Sequence, residues 1–187
     1  MTKHCEQSEI TQERNAEVIR GVYNVIFNEM DIQQASEILA KQGRACADSF
    51  AKRLPPGSLD SFESFLNAAS NVGKDKVAGV ASEIQRKRKV ERKGDTIYWT
   101  LDNDGKCICH LLRAGLVEAH PRLGICCSNW VKRQIERFSG NKPVRVELID
   151  EPLQGGKECK FKITIIGSEE DPLFDTKTQS FEERHKP

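Results

Sequence analysis

The order of apolar patterns along this 187-residue chain predicts an α+β fold, with helices first and then an antiparallel sheet holding one more helix. Two observations carry that prediction. Apolar residues recur at helical spacing through the first half, whereas the second half holds short segments of strict alternation rich in β-branched and aromatic residues. The two kinds of segment are segregated rather than interleaved, which excludes a parallel sheet built from βαβ units.

Taken in order, residues 1–8 read as an N-terminal tail that includes Cys5. From Glu9 to Met30, Ile10, Val18, Ile19, Val22, Ile26 and Met30 recur as one helical stripe. Asp31 caps a second helix, with Gln34 three residues on, and Ala35, Ile38, Leu39, Ala45, Cys46, Phe50 and Leu54 along its apolar side. Pro55-Pro56-Gly57 stops it, since consecutive prolines remove backbone donors. Ser58 or Asp60 starts a third helix bearing Leu59, Phe62, Phe65, Leu66 and Ala69. A fourth short helix is expected through Val77, Val80, Ala81 and Ile84, which closes a helical region over 9–84.

Residues 85–166 form the α+β part, packed with the helical region as one domain. A charged stretch, RKRKVERKGD, leads into the strand Thr96–Leu101, and Asp102-Asn-Asp-Gly105 follows as a turn. A helix is expected over 125–139, from Ile125, Cys127, Trp130, Val131, Gln134, Ile135 and Phe138, with Gly140 as its left-handed cap. Segments 143–150 and 158–166 alternate with Val144, Val146, Leu148, Cys159, Phe161 and Ile163 inward, and Gly155-Gly156 joins them as an antiparallel hairpin. Residues 167–187 show no apolar period and read as a mobile tail.

Composition narrows the function classes. A formal net charge of +1 supplies no field for nucleic acid, and no apolar run approaches membrane-spanning length. The opening MTKHCEQSEI lacks the apolar run of a signal peptide, which points to the cytoplasm. The basic run Arg86–Lys89 has no interleaved aromatics and reads as a solvated face, and Glu118 with His120 reads as exposed loop beside Pro121.

The seven cysteines are the informative feature, since an odd number in a reducing compartment is not a disulfide framework. Cys107 and Cys109 form a C-x-C pair, Cys126 and Cys127 are adjacent, and Cys159 lies on the last strand. Three readings stand open. The thiols can be small core residues. They can hold zinc or an iron–sulfur cluster, with Cys107, Cys109, Cys126, Cys127, Glu147 and Cys159 as the candidate ligands. They can also include a nucleophile, the candidates being Cys109 or Cys127 with His110. In the second and third readings, a helix starting at the cysteine pair should favour a thiolate at Cys126 or Cys127.

The C-x-C pair, the run Cys126-Cys-Ser-Asn-Trp130 and the segment PVRVELIDEPLQGGKECKFKI together resemble the C-terminal half of the 4-vinyl-reductase-type ligand-binding superfamily. More closely, they are similar to bacterial L-2-amino-thiazoline-4-carboxylic acid hydrolase-like proteins. The matching residues are Cys127, Ser128 and Trp130; Val144, Val146 and Glu147; and Gly155, Gly156, Cys159 and Phe161. The resemblance spans residues 95 to 166, with an echo at Gly43-Arg-Ala-Cys46. Some sensor members of the superfamily hold zinc through three cysteines and a glutamate, which implies Glu147 and Cys159 here, with Cys126 or Cys127 at a third position. The sequence departs from them where Asp150 and Glu151 replace a cysteine, and at His110, where relatives tend to have proline. The resemblance implies a small-molecule binding or sensing domain, with Trp99, Cys109, His110 and Trp130 as ligand contacts. Its alternatives are a hydrolase opening a cyclic amidine-type C–N bond, and a dimeric interaction scaffold like the trafficking-complex subunits that share the fold. The expected partners are thus a small molecule and a second copy of the chain.

Overall fold

The computed structural model describes residues 3–71, 75–77, 80–82, 87–93, 96–102, 105–140 and 142–166. Three helices come first: α1 Lys3–Asn28, α2 Ile32–Ala51 and α3 Phe62–Asn71. A small hairpin, β1 Asp75–Val77 with β2 Val80–Ser82, precedes β3 Lys87–Lys93 and β4 Thr96–Asp102. The one-turn α4 His110–Arg113 and the long α5 Leu123–Glu136 follow, and β5 Val144–Asp150 and β6 Cys159–Ile165 end the described chain. The four longer strands form one antiparallel sheet in the order β3-β4-β6-β5. The α+β class and the inserted helix are therefore as expected.

Alternation sets the faces of this sheet. Trp99 pairs with Phe161, Leu101 with Cys159, and Leu148 with Phe161, so Ile97, Trp99, Leu101, Cys159, Phe161 and Ile163 all face the helices and are buried. Helix α5 packs on β5 on one side and on α2 on the other, and so forms the middle of the molecule.

The contact between α2 and α5 explains why the apolar stripe of α2 differs from the expected one. Its buried residues are Ala35, Leu39, Gly43, Ala47 and Phe50, while Ile38 and Ala45 are exposed. A Cβ on Gly43 would lie 2.2 Å from the Cys126 carbonyl oxygen, so small residues occupy the face where the two backbones meet. The polar end of the same contact is held by Asp48, which pairs with both Arg133 and Arg137, and by Arg44 with Glu136.

The element boundaries differ from the sequence reading in ways that have local causes. Helix α1 begins at Lys3, so the stretch read as a tail is helical from its third residue. It buries Tyr23, Ile26 and Phe27 and leaves Val18 60% exposed, with Val22 and Val25 also in solvent. Two adjacent apolar faces had merged into one stripe. Asp31 caps α2 as expected, accepting the Gln34 N–H at 2.9 Å, but the helix ends at Ala51, ahead of the prolines. The cap of α3 is Ser61, whose Oγ accepts the Ser64 N–H at 3.0 Å.

The fourth helix is absent among the described residues: Val77, Val80 and Ala81 lie in β1 and β2, and Ile84 falls outside the description. Four apolar residues over two turns are too few to sustain a helix, and a close antiparallel pairing satisfies the same backbone. The turn at Asp102–Gly105 is only partly described, and the expected tail 167–187 lies outside the described residues. No helix among the described residues is long and apolar enough to cross a membrane.

Two substitutions test this packing. Phe161→Ala should lower the unfolding free energy by about 3–5 kcal/mol in urea titrations, as large-to-small changes in a closed core do. Gly43→Ala adds one methyl group where none fits, and should cost about 1–3 kcal/mol by forcing α2 and α5 apart. An unchanged midpoint for either variant would contradict the packing described.

Candidate functional site: two groups of thiols

The cysteines meet where three elements end. The segment after β4 carries Cys107, Ile108 and Cys109 into the core, all three buried. The first turns of α5 bring Cys126 and Cys127, and the start of β6 brings Cys159. All six described cysteines, Cys46 included, are free thiols.

Each cysteine pair is split between two groups. In the first, Cys107 is central: it is hydrogen-bonded to both the Cys127 and the Cys159 thiols, and the backbone N–H of Cys109 donates to its sulfur at 3.4 Å. In the second, Cys126, Cys109 and Cys46 act on the Tyr23 hydroxyl through charge, and raise its pKa further after burial has done most of the work. Neighbouring residues on a loop or a helix point in different directions, and so C-x-C and C-C each contribute one sulfur to each group.

The two groups are also linked to each other, since Cys107 adds to the rise that burial causes in both Cys109 and Cys126. Hydrogen bonds from Cys127 and then Cys159 hold the Cys107 thiol down to about 3, with smaller help from the Cys109 N–H and the Arg113 guanidinium. Cys127 is correspondingly raised, by its bond to Cys107 and by burial, and Cys159 is raised for the same two reasons. Burial pushes Cys109 up to about 11 and Cys126 well above the ordinary thiol value. Of the three sulfurs, Cys107 is therefore the one whose charged form is favoured.

This corrects the expectation for α5. The helix starts at Leu123, so Cys126 and Cys127 are its fourth and fifth residues, past the free N–H groups of the first turn. Burial raises Cys126, and the bond to Cys107 followed by burial raises Cys127, so neither thiol is favoured as the charged one. The charged sulfur is Cys107, which had been singled out only as a metal ligand.

A carboxylate also sits at the first group, and it is Glu151 rather than Glu147. Glu147 pairs with Lys162 across the register and with Arg145 along its own strand, on the face opposite Cys159. After Leu148 the register shifts by one residue, and Asp150 pairs with Lys160. The next residue, Glu151, therefore falls on the inner side beside Cys159 and is only 6% exposed. Its carboxylate packs against Gly124 of α5, where an added Cβ would lie 2.9 Å from Oε2, and it accepts a hydrogen bond from Gln154 Nε2. Burial raises its pKa, and the Cys107 charge adds to the rise.

Among the described residues, no three His, Cys, Asp or Glu side chains are arranged to hold a metal ion. Of the expected ligand contacts, Trp99 and Trp130 adjoin, with ring centroids 6.1 Å apart, whereas Cys109 belongs to the Tyr23 group and His110 opens α4 half-buried. Phe62 and Phe65 of α3 also lie 6.1 Å from Trp99, and Phe50 lies 5.6 Å from Trp130. Within this ring of aromatics the fully buried indole N–H of Trp99 has no acceptor. His120 stacks on Phe27 at 4.5 Å and accepts the Arg122 N–H, while Glu118 is exposed, so the two are not an acid–base pair.

No protein-family model matches this chain, and no curated protein does. Among solved structures, the chain is similar to a trafficking protein particle complex subunit 3 from Naegleria fowleri covalently bound to palmitic acid. That likeness has 15% sequence identity and a TM-score of 0.43, over 84% of this chain and 96% of the other.

The thiolate assignment predicts a labelling pattern. Iodoacetamide should modify Cys107 first, at a rate nearly constant from about pH 5 to 8, because its thiolate form is already complete above the depressed pKa. An ordinary thiol gains about tenfold per pH unit over that range. Cys127→Ala removes the larger donor and should make the Cys107 rate climb with pH. Peptide mapping after timed quenching reads both results.

Proposed function

We propose that the chain is a small-molecule binding domain of the 4-vinyl-reductase type, acting in the cytoplasm, whose ligand lies against Trp99 and Trp130. The observation that carries this reading is the orphaned Trp99 N–H. A buried donor without an acceptor costs about 1–3 kcal/mol, and a core rarely keeps one without a reason. An apolar molecule bearing one carbonyl or carboxylate oxygen would supply the missing acceptor, and the surrounding rings would take up its hydrophobic part. Trp130 is half-buried, so that one edge of this aromatic group meets solvent.

A second reading, hydrolysis of a cyclic amidine-type C–N bond, is favoured by the Cys107 thiolate alone. It moves the nucleophile from Cys109 or Cys127 to Cys107, whose charge acts on the buried Glu151 carboxyl.

Thermal-shift screening against small aromatic and alkyl carboxylates and ketones tests the binding reading. A compound that stabilises the protein should lose about 5- to 150-fold in affinity in Trp99→Phe, which keeps the aromatic wall and removes the donor. Equal affinity for the two proteins would discard the site. Incubation with 2-amino-thiazoline-4-carboxylate, followed for a gain of one water's mass, tests the hydrolase; no product at high enzyme concentration rules it out.

A further inference from the structure

Helix α1 buries only one of its sides. Tyr23, Ile26 and Phe27 enter the core, and Arg20 Nε donates to the Gly115 carbonyl at 3.0 Å, which fixes the rotation of the helix on the body. About a third of a turn round the helix stand Val18, Val22 and Val25, 60%, 53% and 42% exposed. Spaced four and three residues apart, they share one face. A lone exposed valine needs no account, but three in succession form an apolar patch. Gly21 lies beside them. A Cβ on it would meet nothing within 4 Å, so no contact within the chain calls for a glycine there, and a glycine inside a helix weakens it relative to alanine. Gly43 of α2 is the glycine at which two helices meet; Gly21 offers the same opening with no helix in it.

We propose that this face of α1 is a homodimer interface, on which α1 of a second copy packs antiparallel about a two-fold axis passing between Gly21 and Val22. The occupant is indicated by spacing and charge. Counting outward from the axis, Val22 meets the partner subunit's Gly21, Val18 meets the partner's Val25, and Arg14 meets the partner's Glu29. Each pairing occurs twice, because a two-fold contact uses the same patch on both copies. Arg14 and Glu29 are both exposed and stand at opposite ends of the face. Parallel helices in register would oppose Arg14 to the partner's Arg14 and Glu29 to the partner's Glu29. The antiparallel order joins unlike charges instead, so the face is complementary to itself. At its centre each glycine is the hole that receives a valine, which lets the two backbones approach closely.

The contact uses one helix from each copy, so the dimer forms and dissociates with concentration. The valines and the glycine supply the attraction, and the charges at the rim set the direction. None of these residues belongs to the aromatic group at Trp99 or to the thiols, so the interface stands or falls separately from the binding proposal.

Sedimentation equilibrium of the folded, full-length protein tests this. The expected result is a reversible monomer–dimer equilibrium without larger species, since a two-fold contact closes on itself. Val22→Glu places two like charges beside the axis and should weaken association about a hundredfold. Arg14→Glu and Glu29→Arg should each weaken it about three- to tenfold. An equimolar mixture of those two single variants should return to nearly the wild-type affinity, because each copy then offers the charge that the other lacks. All three positions are exposed, so circular dichroism should show an unchanged fold. A monomer at every concentration overturns the proposal, even if another segment or another protein then proves to cover the face. A dimer indifferent to Val22→Glu overturns it as well. So does a mixture that associates no more tightly than either variant alone, since the helices would then not run antiparallel.

Discussion

The close approach of α2 to α5 at Gly43 is the contact on which the rest of the arrangement depends. With no side chain at that position the backbones come together until the Cys126 carbonyl occupies the vacated space. Helix α5 is thereby set at one depth and one rotation. Cys127 then comes beside Cys107, and Trp130 stands against Trp99. Gly124 does the same for the other side of α5, where the Glu151 carboxylate and a Leu148 methyl fill the place of a Cβ. A helix pressed between two such contacts has little freedom to rotate, which is what a site made of single sulfur contacts requires. The partly exposed pairs of Asp48 with Arg133 and Arg137 fix the far end more than they stabilise it, since such pairs contribute about 0–1 kcal/mol each.

A buried negative charge is ordinarily expelled as a proton is taken up. At Cys107 it persists because the donors are local and numerous: two S–H groups and one backbone N–H converge on one sulfur, with Arg113 adding a longer-range attraction. The neighbours bear the complementary cost, as each of the two thiols that donate is held neutral. The three thiols are coupled in their titration and do not behave as independent acids.

Much of the fold was legible from alternation and period, and the limits of that legibility have physical origins. The inner faces of β4, β5 and β6 followed from residues two apart, and Cys159 was placed correctly because its strand is regular. Glu151 was invisible for the converse reason: by strict alternation it shares a face with Glu147, and only the shifted register after Leu148 reverses it. Nothing in the side chains of residues 148 to 150 announces that shift. Cys107 and Cys109 lie in a segment with no period at all, so which of them would be the charged one depended on contacts made by distant elements. The helix ends were displaced where one type of signal stood in for another, as when prolines at 55 and 56 marked the outer limit of α2 rather than its last turn.

The outer strands of the sheet carry one further consequence. Strand β3, at one edge, is rich in lysine and arginine, and β5, at the other, is charged at Arg145 and Glu147 and interrupted by its irregular register. A strand from another molecule meets like charge along β3 and mismatched spacing along β5, and both discourage the sheet from lengthening by recruiting its own copies.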